Sequence, residues 1–145
     1  MGVTLAMNAL GQSLDFQASR MDSLLQFYKE TRERFPGIAE KTDREHLKAG
    51  WELCDEYAYT WFHSLADMLN EEMRKQTSVD DAGTVFDFMR DQFLIGTAAV
   101  RTCIDVSFVE NLFWKVPPEK ARIYWLRMPD LLKSLFLGFH SKPPC

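Results

Sequence analysis

The stretch Asp43 to Lys75, DREHLKAGWELCDEYAYTWFHSLADMLNEEMRK, decides the fold class. Its Leu47, Trp51, Cys54, Ala58, Trp61, Phe62, Leu65 and Leu69 recur at three- and four-residue intervals, the spacing that gathers apolar side chains on one face of an α-helix. Thr42 with Glu45 three residues on has the form of a capping box, in which hydroxyl and carboxylate satisfy the free amides of a first turn. The pattern predicts one helix from about Asp43 to Lys75, ~50 Å long at ~1.5 Å per residue. Gly50 is its expected kink.

The same spacing extends in both directions. Leu14, Ala18, Met21, Leu25, Tyr28 and Phe35 form a stripe over roughly Ser13 to Arg34, which Pro36-Gly37 should stop. Ser78 with Asp81 opens a further helix carrying Val85, Phe86, Met89 and Phe93, expected to end at Gly96, after which Thr97 caps the next. In that helix Val100, Cys103, Ile104, Ser107 and Asn111 share one face, while Val106, Val109 and Phe113 share another, which marks it as central. Pro117-Pro118 breaks the chain before a short helix from Glu119 to Arg127, and Pro129 begins a last one through Phe139. No stretch of five or more residues alternates strictly, so no strand is needed. The expected fold is all-α: one domain over residues 1–145, a compact bundle of five or six helices, with stacked α-solenoid-like helix pairs equally compatible. Residues 1–12 and 141–145 are expected to be loosely ordered.

Composition agrees with a single soluble globular domain: 145 residues, 46% hydrophobic and 26% charged. A net charge of −4 speaks against a broad nucleic-acid-binding surface. Cys54, Cys103 and Cys145 are odd in number and widely spaced, which suits neither a disulfide framework nor a zinc knuckle and points to a reducing cytoplasm. The start, Met1-Gly2-Val3-Thr4-Leu5-Ala6, lacks a basic n-region, and Ala6 stands where a myristoylation signal wants Ser or Thr. No apolar run approaches the ~20 residues needed to cross a bilayer. Neither an export signal nor a membrane span is expected.

Catalytic constellations are not evident. His46, His63 and His140 are far apart, and no metal-binding spacing is present, so no metal or cofactor is expected. Tyr59, His63 and Asp67 come nearest to a ligand set, although polar neighbours four residues apart are ordinary on a solvated helix. Asp55 with Glu56, Glu71 with Glu72, and Asp105 with Glu110 are the candidate acid–base pairs. Adjacent helical residues point ~100° apart, so the first two pairs do not converge unaided. Cys54 and Cys103 fall on apolar faces, where a thiol acts as a small hydrophobe, and Cys145 has no partner to orient it. The seven glycines are scattered, which leaves no phosphate-cradling loop. Asn111, on an apolar face with Ser107, must find a hydrogen-bond partner, most simply a helix end or a loop backbone.

Charge is distributed unevenly along the chain. Ala49 to Met73 holds six acids and no Lys or Arg, whereas Asn111 to Cys145 holds six bases against two acids. On the predicted long helix, Glu52, Glu56, Tyr59, His63 and Asp67 line the face opposite the core stripe. Such an acidic strip suits a basic protein partner, with Tyr59 as anchor and the carboxylates steering approach. Two simpler readings stand beside it: a merely solvated strip, or one that neutralises the basic C-terminal third of the same chain. The segment Leu131 to Phe139 is more apolar than a surface helix needs. Core docking is the first reading of it, a homodimer contact the second and membrane-surface binding the third.

Phe86-Asp87-Phe88-Met89, followed by Val100-Arg101-Thr102-Cys103-Ile104-Asp105-Val106-Ser107-Phe108-Val109-Glu110-Asn111-Leu112, resembles small helical bacterial families of unassigned function, some of whose members lie beside toxin genes. In overall form the chain is also similar to immunity proteins of interbacterial toxin systems, which are single, small, acidic helical domains without catalytic motifs. That resemblance implies a non-catalytic binding protein whose partner is a cognate toxin; from composition and the apolar segment Leu131 to Phe139, the chain is expected as monomer or homodimer. The resemblance assigns no functional residue. The alternatives kept open are a self-associating structural or adaptor domain and an uncharacterised enzyme.

Overall fold

In the computed structural model of the protein, residues 23–145 are described, and these are helical with no strand among them. The stripe positions Leu14, Ala18 and Met21, and the expectation for residues 1–12, lie outside the described residues. The elements are α1 (residues 23–34), α2 (Pro36–Lys48), α3 (Ala58–Arg74), α4 (Val79–Ile95), α5 (Ala98–Thr102), α6 (Pro118–Arg127) and α7 (Asp130–His140). A short 3-10 turn, Asp55–Tyr57, leads into α3. Beyond α5 the chain keeps winding, first as a wide π segment over Cys103–Phe108 and then as a tight 3-10 turn over Val109–Asn111. The all-α expectation holds. There are seven helices among the described residues rather than five or six, because the predicted long helix is two.

That long helix is the main correction. The chain leaves α2 after Lys48, and Gly50 takes a left-handed φ of 92° that ordinary side chains resist. A loop of residues 49–57 then turns the chain so that α3 runs antiparallel to α2. Lys41 accordingly pairs with Glu72, and His46 with Ser64. Folding back doubles the apolar contact that a straight rod would leave to solvent. It also removes Leu47 and Trp51 from the core stripe, since both are exposed. Trp51 packs instead beside Tyr57, with ring centroids 5.3 Å apart.

The start of α2 also differs from the reading. Pro36 stops α1 as expected, but it simultaneously occupies the first turn of α2, where its missing amide costs nothing. Thr42 is therefore no cap. It is buried mid-helix and its hydroxyl donates to the Ile38 carbonyl at 2.8 Å. The remaining punctuation is as read. Ser78 accepts from the Asp81 amide and Thr97 from the Val100 amide, Pro118 opens α6, and Pro129 precedes α7.

α3 is the centre of the bundle. It packs against α2 on one side, against the π segment on the other, and against α6. α4 meets both α6 and α7, so elements distant in the chain touch, as a closed bundle requires and a neighbour-only solenoid does not. Phe27 of α1 stacks on Phe62 of α3 at 4.5 Å with parallel rings, and Trp61 meets Phe62 edge-on at 5.2 Å. Cys103, Ile104, Phe108 and Val109 are fully buried, which makes the segment after α5 central as expected, although Val106 of its second predicted apolar face is exposed. Leu132 and Phe136 dock α7 into the core, while Leu137 and Phe139 stay exposed. No described helix is long and apolar enough to cross a membrane.

Candidate functional site

The acidic strip does not lie on one helix face. Glu52 sits in the loop after Gly50 and Glu56 in the 3-10 turn, so only Tyr59, His63 and Asp67 share the exposed ridge of α3. The break at Gly50 is the cause, because it ends the helical register that would have aligned all five. His63 Nε2 and the Asp67 carboxylate are 3.5 Å apart, an i,i+4 pair on the surface. Burial raises the Asp67 pKa above the usual carboxylate range, against the lowering pull of His63.

The tertiary structure supplies other acids instead. The π segment runs beside the start of α3, where the Ser107 hydroxyl donates to the Tyr59 carbonyl at 2.6 Å. This brings Asp105 and Glu110 into electrostatic reach of the Tyr59 side chain. Burial raises the Asp105 pKa. At Glu110 burial acts first, then the Asp105 charge, and together they outweigh the opposing pull of His140. Tyr59 is raised by burial and then by its acidic neighbours Cys103, Glu110 and Asp105. Neither Asp105 nor Glu110 is within ion-pair distance of a described Lys, Arg or His. Tyr59, 37% exposed, thus sits on a ridge near two carboxylates that make no ion pair among the described residues.

The two oppositely charged parts of the chain leave each other unneutralised. Glu71 pairs with Arg74 and Lys75, and Glu72 with Lys41, whereas among the described residues the C-terminal bases make one ion pair, Arg127 with Asp87 of α4. Among the described residues no ion pair joins the acids of residues 49–73 to the bases of residues 111–145.

Of the potential catalytic groups, Cys103 and His46 are placed in the core, whereas Cys54, expected on an apolar helix face, is partly buried in the loop before the 3-10 turn. Cys103 is fully buried, and burial raises its thiol pKa far out of the reactive range. Buried His46 contacts the Ser64 hydroxyl through Nδ1 at 2.8 Å and the Glu52 carbonyl through Nε2 at 3.0 Å. A carbonyl only accepts, so Nε2 carries the proton and Nδ1 accepts from Ser64. This serine–histidine pair, which the sequence reading missed, is sealed from solvent and ties the loop after α2 to α3. No group of three or more His, Cys, Asp or Glu is arranged to hold a metal ion among the described residues. The Asn111 amide donates to the Ser107 carbonyl at 2.8 Å, the helix-backbone partner that its apolar setting required.

A second surface feature follows the π segment. Phe113 and Lys115 both adopt left-handed backbone, with φ of 66° and 54°, although neither is glycine. Their turn is locked from α3. Asn70, fully buried, donates to the Asn111 carbonyl at 2.8 Å and accepts from the Phe113 amide at 2.7 Å. Arg74 donates to the carbonyls of Trp114 and Lys115 at 2.9 and 3.1 Å. At the apex Trp114 is 64% exposed. A hollow of about 250 Å³ adjoins it, whose lining includes Glu110, Lys115, Phe136, His140, Lys142 and Pro144. Residues 142–144 of the tail therefore lie against this turn.

No curated protein and no solved structure matches the chain. Residues 28–142, from within α1 to the tail, match the family described as a domain of unknown function, DUF7674, and the chain belongs to that family.

Proposed function

We propose that the protein is a non-catalytic binding protein of the immunity type, which neutralises a cognate bacterial toxin by covering its active site or substrate groove with the Tyr59 ridge. One observation carries the reading: Tyr59 is exposed on α3 next to the π segment, in electrostatic reach of Asp105 and Glu110, which are in no ion pair among the described residues. An aromatic anchor near under-compensated carboxylates favours a partner that brings Lys or Arg. The rest of the chain supplies a rigid support, since α3 is held by buried partners on both sides. In this reading Tyr59, His63 and Asp67 contact the toxin together with Asp105 and Glu110. Glu52 and Glu56 steer its approach from the preceding loop. The compartment of the complex is the cytoplasm.

The test is capture of the tagged protein's partners from host lysate at moderate salt, alongside a Tyr59→Ala/Asp105→Asn variant. The proposal expects one stoichiometric basic protein on the wild type, toxic when expressed alone and harmless when co-expressed. The variant should lose it. Recovery of the bait alone, or equal neutralisation by the variant, would overturn the reading or this location of it, respectively.

A further inference from the structure

α7 ends at Ser141, which takes a left-handed φ of 66° and whose amide donates to the Leu137 carbonyl at 2.9 Å. Lys142, Pro143 and Pro144 then line the hollow beside Trp114. Beyond Ser141 no backbone group of the tail is hydrogen-bonded among the described residues. Pro144 is nonetheless half-buried, between exposed Pro143 and exposed Cys145. What holds the tail is therefore the packing of its prolines, and a segment held in that way is displaceable.

The rest of the lining suits proline. Phe113, Trp114, Phe136 and His140 all border the hollow. Phe113 meets Phe136 edge-on with ring centroids 5.5 Å apart, and His140 stacks on Phe136 at 4.1 Å. The His140 ring is fixed in turn by Nε2, which donates to the Glu110 carbonyl at 2.9 Å. Trp114 is held out by left-handed backbone on both sides of it, which Asn70 and Arg74 enforce. Its indole N–H makes no hydrogen bond among the described residues. Proline-rich segments are recognised by such surfaces, because they are extended and pre-ordered, with no internal hydrogen bonds. Their rings pack on aromatic walls, and their free carbonyls accept from a donor such as an indole N–H.

We propose that the hollow beside Trp114 is a recognition site for a proline-rich segment of a partner protein, kept closed by the chain's own Pro143-Pro144. The partner engages by displacing the tail. Because the tether is short, the tail's effective concentration at the hollow is in the millimolar range. With ~100 μM intrinsic affinity for tail and partner segment alike, the site is open roughly one-tenth of the time, and the segment binds about tenfold more weakly than to a site without the tail. Trp114, Phe136 and His140 lie outside the Tyr59 ridge, so this site does not rest on the toxin reading.

Titration of the full chain with the acetylated peptide Lys-Pro-Pro-Lys-Pro-Pro tests it, read by NMR at the Trp114 indole resonance, which Trp114→Phe assigns. The full-length double variant Pro143→Gly/Pro144→Gly, whose tail no longer fits the hollow, should bind the peptide at ~100 μM and shift that resonance. The wild type should bind about tenfold more weakly. Adding Trp114→Ala to the double variant should abolish binding of a fluorescein-labelled copy of the peptide, and circular dichroism checks that each variant is folded. Lys-Ala-Ala-Lys-Ala-Ala, which carries the same charge, should not bind. No binding by the double variant, equal binding of the alanine peptide, or equal affinity of wild type and double variant would each overturn the proposal. So would self-association of the wild type in sedimentation that the two glycines abolish, since the tail of a second copy would then be the occupant.

Discussion

Asn70 of α3 accepts a 2.7 Å hydrogen bond from the backbone amide of Phe113, a residue in left-handed conformation on the far side of the π segment. Its other amide atom donates to the Asn111 carbonyl, so one buried side chain satisfies two backbone groups of a turn that has no regular structure to satisfy them. Asn70→Leu is therefore expected to destabilise the protein by about 2–4 kcal/mol, since it strands a buried donor and a buried acceptor. Urea denaturation measures it. A loss below about 0.5 kcal/mol, the scatter of ordinary surface substitutions, would show that the turn does not depend on Asn70.

Gly83 in α4 lies under the Arg127 side chain, and a Cβ there would stand 2.5 Å from Nε and 2.9 Å from Cγ. Arg127 is the residue that forks onto the Asp87 carboxylate, with its shorter contact at 2.8 Å. Gly→Ala within a helix ordinarily stabilises by about 1 kcal/mol. Gly83→Ala should fail to show that gain in the wild type, because Arg127 must move, and should recover it in an Arg127→Ala background. A thermal-denaturation double-mutant cycle with no coupling would contradict this packing.

At Asp43 burial pushes the carboxyl up, but the forked bond from Arg32 and the Trp61 indole N–H, at 2.8 Å, outweigh it and hold the pKa below the usual value. The stability this contributes is complete above the ordinary carboxylate range and is lost as pH falls through the depressed folded pKa. Asp43→Asn should thus cost stability at neutral pH, by about 1–3 kcal/mol for losing charged hydrogen bonds, and the gap to wild type should close on acidification. Parallel pH–stability curves for the two proteins would rule this out.

Asp105 and Glu110 carry the opposite sign. Burial raises their folded pKa values, so ionisation works against folding, and the cost develops as pH rises from the unfolded pKa through the folded one. Asp105→Asn is accordingly expected to be more stable than wild type at neutral pH and equal to it in acid. If the Tyr59 ridge receives a cationic partner, the partner's charge draws these pKa values down and binding releases protons. Affinity should then rise with pH through the raised carboxylate range. Calorimetry of the complex in two buffers of different ionisation enthalpy would detect the release; its absence would place the partner elsewhere.

Cys103 is expected to resist thiol reagents in the native state, while exposed Cys145 reacts at once. Thiol titration before and after denaturation measures this directly. Rapid native labelling of Cys103 would mean that the π segment opens readily.

Most of the helix punctuation, Thr42 excepted, and much of the core were legible in the sequence, because both are local. Ser78, Thr97, Pro118 and Pro129 act within their own first turns, and three-to-four periodicity identifies Val85, Phe86, Met89, Cys103 and Ile104 as buried wherever the helices go. The same periodicity misled at Leu47 and Trp51. A stripe continues in phase across a chain reversal as easily as along a rod, and only Gly50, with its freedom at positive φ, marked the place. Tertiary structure alone decided the surface chemistry. It separated Glu52 and Glu56 from Tyr59 and set Asp105 and Glu110 beside it. It also spent Asn70 and Arg74 on lifting Trp114 into solvent. The relations of Tyr59 to Asp105 and Glu110, and of Asn70 and Arg74 to the Trp114 turn, join residues about 40 or more positions apart in the chain, fixed by how α3 and the π segment pack, and no local periodicity encodes them.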